Sequence, residues 1–97
     1  MANDFELRAH DSVFDRLDEL ALAAVPQALW DAALELLHRV MTDPDSCRWQ
    51  AIRWPRSEVS GYRVSTFCGA HEVQVWWSLV SGKPFVWGLT FEPPLDA

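Results

Sequence analysis

The chain has 97 residues, 49% of them apolar, and a formal net charge of −6. That is material for one hydrophobic core and no second one, so the sequence predicts a single domain over residues 1–97 whose tail frays from about residue 93. The charge excludes generic affinity for nucleic acid, and no apolar run is long enough to predict a membrane span.

Phe5-Glu6-Leu7-Arg8-Ala9 alternates apolar with charged residues and predicts a short N-terminal strand with Phe5, Leu7 and Ala9 on its apolar side. Asp11-Ser12, with Asp15 three residues after Ser12, places acids where the positive end of a helix favours them. Val13, Leu17, Leu20, Ala21 and Ala24 then share one side at helical spacing, which predicts a first helix of about three turns. Val25-Pro26 interrupts it, since proline suits a first helical turn and disrupts an interior one. Leu29, Ala32, Ala33, Leu36, Leu37, Val40 and Met41 give a second amphipathic helix, which Asp43-Pro44 stops. The two helices form a hairpin with one apolar stripe, a natural cover for a sheet.

Cys47 to Trp54 alternates in part and predicts a strand; Pro55 to Gly61 reads as a polar loop. From Tyr62 the alternation is sustained. Tyr62, Val64 and Thr66, then Val73, Val75, Trp77 and Leu79, then Phe85, Trp87, Leu89 and Phe91 occupy every second position of three runs. Cys68-Gly69-Ala70-His71 and Ser81-Gly82-Lys83-Pro84 separate the runs and are short enough for hairpin turns. The predicted class is therefore α+β: an N-terminal strand, a helical hairpin, then an antiparallel sheet of three to four strands. With six Trp in the chain, each able to bury about 150–250 Å², most must belong to the core.

The charge is unevenly spread. The first fifty residues hold ten acids against four Arg, whereas the remainder is balanced at four against four. Arg48, Arg53, Arg56 and Arg63 stand against Glu58 alone, and only this segment is suited to meet a phosphate. Cys47 and Cys68 follow no metal-ligand spacing, no Gly-rich phosphate loop is present, and the start Met1-Ala2-Asn3-Asp4 has no features of a secretory signal. The expectation is a cytoplasmic protein with two reduced thiols, no metal and no cofactor.

The face of the meander away from the predicted core would carry Arg63, Ser65 and Phe67, then Glu72, Gln74, Trp76 and Ser78, then Val86, Gly88, Thr90 and Glu92. It is too apolar for a freely solvated face and too polar for a second core. Aromatic residues set among polar groups suit a recognition surface, for stacked bases, a protein segment or a dimer mate.

The order of elements, with Phe5-Glu6-Leu7-Arg8, the hairpin from Ser12 to Thr42, Asp43-Pro44 and Gly61-Tyr62-Arg63-Val64 at its joints, resembles the RelE/ParE superfamily of bacterial toxin-antitoxin toxins. The resemblance runs from Phe5 to about Phe91 and rests on the order of its motifs. It implies the toxin of a type II module, held silent by a cognate antitoxin. The activity it implies is ribosome-dependent cleavage of messenger RNA, or, without catalysis, inhibition of DNA gyrase or binding of another protein.

The ribonuclease branch places basic residues on the central strands, where Arg63 matches the motif and Arg53 matches more loosely; these two are the candidate catalytic phosphate contacts. Arg48, Arg56, Phe67 and Trp76 are candidates for binding RNA or a partner. The last run, Phe85 to Phe91, has none of the Arg, His or Tyr that this branch carries there. Cleavage at a metal-free site also needs a proton acceptor and a donor. His10, His38 and His71 instead read as exposed or capping residues, and Arg63 as equally suited to a cross-strand pair with Glu72.

Overall fold

The computed structural model of the chain describes residues 6–22, 25–53 and 60–93. Two helices, α1 (Asp11–Leu22) and α2 (Gln27–Thr42), precede a single turn of 3-10 helix, Pro44–Cys47. Four strands follow: β1 (Gln50–Arg53), β2 (Ser60–Cys68), β3 (His71–Val80) and β4 (Lys83–Glu92). They form one antiparallel sheet in the order β1-β2-β3-β4, so the predicted α+β class and meander hold. Of the predicted loop from Pro55 to Gly61, residues 55–59 lie outside the described residues, whereas Ser60 and Gly61 already belong to β2; the end of the first predicted helix at Ala24 and the predicted tail beyond Pro93 also lie outside the described residues.

Helix α2 supplies most of the cover. Leu29, Ala33, Leu36, Leu37 and Val40 are all buried at three-and-four spacing and meet Val64, Val73, Val75, Trp77, Leu89 and Phe91 of the sheet in one cluster. Val13 and Leu20 of α1 join the same cluster, which puts both helices on one side of the sheet. The stop at Asp43-Pro44 occurs as predicted, and the turn that follows it tucks Cys47 fully into the core. Both hairpin turns need left-handed backbone: Gly69 has φ +61°, Ser81 +54° and Gly82 +79°. Glycine adopts that region without steric cost.

Three expectations are corrected. The N-terminal segment makes only a bridge, with Ala9 lying parallel to Val86; the Val86 N–H donates to the Arg8 carbonyl at 3.0 Å and the His10 N–H to the Val86 carbonyl at 2.8 Å. Phe5 lies outside the described residues. The α1 cap is also different. The Ser12 N–H donates to His10 Nδ1 at 3.1 Å, so a histidine, and not an aspartate or serine, satisfies a free amide of the first turn.

The third correction concerns β4. Strict alternation places Phe85 and Trp87 on the core side and Val86 opposite. In the structure Trp76 pairs with Gly88 but Trp77 pairs with Val86, so Trp87 is an extra residue in a bulge. Val86 is fully buried and Trp87 is 37% exposed. The physical reason is parity: Val86 and Leu89 are an odd number of residues apart, and both reach the core only if one residue is skipped. Trp77 already fills that space, whereas at the rim the Trp87 indole N–H donates to Ser78 Oγ at 2.7 Å. Leu79, also assigned to the core by alternation, is 40% exposed near the end of β3.

The bulge reverses the ranking that alternation assigns to two neighbours. Val86→Asp should unfold the domain by burying an uncompensated charge, and Trp87→Asp should leave a cooperative unfolding transition in urea. The opposite ranking would refute the bulged register.

Candidate interaction surface on the open face of the sheet

The registers of β2, β3 and β4 place the face away from the helices in three rows: Arg63, Trp76 and Gly88; Ser65, Gln74 and Thr90; Phe67, Glu72 and Glu92. Among the described residues no helix lies over these rows. Their polar groups bind one another in a directed chain. The Trp76 indole N–H donates to Thr90 Oγ1, the Thr90 hydroxyl to Gln74 Oε1, and Gln74 Nε2 to Glu72 Oε1, each at 2.9 Å. Ser65 Oγ donates to the other Glu72 oxygen at 2.9 Å. Each donor therefore points towards the carboxylate, the arrangement in which a polar network is most rigid.

This chain fixes the Trp76 ring in place. The Arg63 guanidinium lies 5.4 Å from the ring centroid, and the ring itself lies against Gly88, 3.6 Å from where a Cβ would stand. Such a cation and aromatic pair is worth about 0.5–1 kcal/mol at an exposed site. Phe67, at the far end of β2, is 77% exposed. At the other end the bulge brings Phe85 and Trp87 together at 4.7 Å between ring centroids, with the His10 ring 6.2 Å from Trp87. The sheet thus presents a flat polar centre with aromatic groups at both ends.

Of the predicted site residues, Arg63, Phe67 and Trp76 share this face. Arg48 does not. It pairs with Asp45 at 3.2 Å and lies 5.4 Å from the ring of Tyr62, which alternates with Arg63 and so belongs to the helix side of the sheet. Arg53 ends β1 opposite Ser60; its side chain, and Arg56 altogether, lie outside the described residues. Val86, predicted for this face, is in the core, and Phe85 and Trp87, predicted for the core, are here instead. The Ser65 and Gln74 pair could have been read from the two-residue turn at Gly69-Ala70; a two-residue turn at Ser81-Gly82 alone would set Gln74 opposite Leu89, so Thr90 joins the row only through the bulge, and that shift and the Phe85 and Trp87 cluster had no local signal.

The histidines stand apart from Arg63. His71 opens β3 five residues before Trp76, about 16 Å along a strand, and its Nδ1 donates to the Pro93 carbonyl at 3.0 Å. His10 lies beyond β4, three inter-strand steps or about 14 Å from β2. His38 is half-buried on α2. Glu72, the acid nearest the centre of the face, is occupied by Ser65 and Gln74. The arrangement can stack a planar group, hold an anion or grip a protein segment; among the described residues it assembles no proton acceptor and donor around Arg63.

Cys47 and Cys68 are both free thiols. Burial pushes the Cys47 thiol above its ordinary value, opposed by a hydrogen bond with Ser46 and the charge of Arg39 and reinforced by the charge of Asp43. No group of three or more His, Cys, Asp or Glu among the described residues is placed to hold a metal ion, and no helix among them is long and apolar enough to cross a membrane. Compared with family models, curated proteins and solved structures, the chain matches none.

Two outcomes test this geometry. Thr90→Val, which leaves the Trp76 N–H and the Gln74 carbonyl without their shared partner, should lower unfolding free energy by about 1–3 kcal/mol, and Thr90→Ser should restore most of it in urea titrations. For Cys47 the unfolded chain loses its thiol proton first, because the folded value is raised. Folded protein then binds more protons than unfolded, so stability falls as pH rises above about 9. The loss between pH 7 and pH 10 should be smaller in Cys47→Ala than in the parent; an equal loss would rule out Cys47 as its source.

Proposed function

We propose that the chain is a RelE/ParE-like toxin of a type II toxin-antitoxin module that acts by gripping a protein target on the open face of its sheet. The supporting observation is the fixed platform of Trp76 and Arg63, flanked by exposed Phe67 and by Phe85 and Trp87, on a sheet whose opposite side carries both helices. Large aromatic groups and Arg are what protein interfaces concentrate at their centres. The net charge of −6 favours a protein over a polyanion. The order of elements supports the family reading: a parallel N-terminal segment on β4, two helices on one side, and an antiparallel meander with Arg63 on its second strand.

The family equally implies cleavage of messenger RNA on the ribosome. Arg63 beside the Trp76 ring is the feature that favours it, since a guanidinium holds phosphate and an indole stacks on a base. Among the described residues the open face does not set a histidine or an unoccupied carboxylate beside Arg63, and proton transfer of that kind contributes about 10²–10⁴-fold in rate. Binding is therefore the better-supported activity. DNA gyrase, which the family implies as a target, fits a grip that needs no chemistry.

Induction of the chain alone in a bacterial host should arrest growth while messenger RNA stays intact, and Trp76→Ala should relieve the arrest with the variant still folded. Transcripts cut in the presence of ribosomes, and spared by Arg63→Ala, would establish the ribonuclease instead. Harmless expression of the folded parent would overturn the toxin reading altogether.

A further inference from the structure

The two outer edges of the sheet are treated differently. Along β4, Lys83 and Pro84 begin the strand, and the N-terminal segment takes up the Val86 N–H and carbonyl. Charge, proline and a covering segment are the means by which an edge is kept from pairing with another chain. On the far side β1 covers only residues 60–63 of β2. Beyond it Val64, Ser65, Thr66, Phe67 and Cys68 carry no charge and no proline, and among the described residues no strand lies alongside them. The turn at Gly69-Ala70 sets Cys68 opposite His71, so the Cys68 carbonyl faces β3. By alternation the backbone N–H and C=O of Ser65 and Phe67 point out of the edge.

Between this edge and α2 lies a cleft of about 170 Å³, with Ala32, Glu35 and Arg39 on the helix and Thr66 and Cys68 on the strand. An occupant must extend the sheet and match the charges. The lane beside β2 is short, because it ends at β1 and the exposed Trp49 before it, and a strand that ran on past Ser65 would collide there. The hairpin end of β2 itself stops in the right place. Two copies related by a two-fold axis at Phe67 join Phe67 to Phe67 through two backbone hydrogen bonds. The Gly69-Ala70 turn of each copy then comes opposite Ser65 of the other, short of β1. Glu35 and Arg39 lie 3.0 Å apart with opposite charges, so the axis sets each against its opposite. A basic or an acidic segment would instead meet a like charge at one of the two. The exposed Phe67 is covered by its own equivalent across the joint.

We propose that a second copy of this chain occupies the edge: the protein forms a two-fold dimer by antiparallel pairing of β2 with β2 beyond the end of β1, with Phe67 at the axis and Glu35 and Arg39 as its charged rim. The two sheets become one, and Trp76 and Arg63 of both copies stay on its open face. The pairing fixes a register. Thr66 of one copy stands opposite Cys68 of the other in a non-hydrogen-bonded pair, with Cα atoms about 4.5 Å apart. The dimer does not depend on the toxin reading.

In sedimentation equilibrium the full chain should show a reversible equilibrium between monomer and dimer. Phe67→Pro removes an N–H that β3 does not use, so it should abolish the dimer while circular dichroism shows a folded monomer. Arg39→Glu, at an exposed position, should weaken association tenfold or more, and Glu35→Arg added to it should restore association, because the exchanged pair is again its own complement. Thr66→Cys should form a disulfide with the native Cys68 of the other copy when oxidised glutathione accepts the two thiol hydrogens, since that Cα spacing is within disulfide reach. Cys68→Ser in the same chain should prevent it. Trp76→Ala should leave association unchanged, which separates this edge from the surface proposed for a target. A parent that is monomeric at every concentration, a dimer that Phe67→Pro or Arg39→Glu leaves as strong, or a Thr66→Cys chain that does not cross-link to Cys68 would overturn the proposal.

Discussion

Everything in this fold depends on burying the indole of Trp77. It is fully excluded from water, packs against Tyr62 at 4.8 Å between ring centroids, and sits in the cluster that α1, α2 and three strands share. Its N–H has no hydrogen-bond partner among the described residues. Leaving such a donor unsatisfied costs about 1–3 kcal/mol. Removing about 150–250 Å² of aromatic surface from water, at about 25 cal/mol per Å², contributes about 4–6 kcal/mol. Apolar burial outweighs the unsatisfied donor, and the side chain stays inside.

The position of Trp77 then dictates its neighbours. Beside one fully buried indole there is room for Val86 and not for Trp87, so β4 skips a residue and the second indole moves to the rim. The skip has further effects. It turns Trp87 towards Ser78 and Phe85, and the Trp87 carbonyl accepts from Ser12 Oγ at 3.4 Å where α1 begins. Beside it Val86 ties down the N-terminal segment through Arg8 and His10. A packing demand in the core therefore shapes one end of the open face and one end of a helix.

On that face the polar groups are engaged with each other. Trp76, Thr90, Gln74, Glu72 and Ser65 join donor to acceptor in one continuous network, which makes the surface stiff before anything binds. Stiffness lowers the entropy lost when a partner docks. It also ties Glu72 into the face, where one carboxylate oxygen accepts from Ser65 and the other from Gln74. Recognition and catalysis make opposite demands on the same groups, and this arrangement meets the first.

The sequence by itself determined the second helix, both hairpin turns, the antiparallel meander and the core side of Val64, Val73 and Val75, because each follows from a period or a turn residue acting over a few positions. The same local rules found Arg63, Phe67 and Trp76 on one face. They could not find the bulge, since the residue to be skipped is chosen by the volume left beside Trp77 and not by any feature of β4 alone. Nor could they assign Arg48 to the other side, which depends on the turn at Pro44–Cys47 carrying it over Tyr62. His10 read from the sequence as an exposed or capping residue; its backbone bond to the Val86 carbonyl, at the far end of the chain, is what the tertiary structure added. Alternation is a property of a strand; which residue breaks it is a property of the packed core.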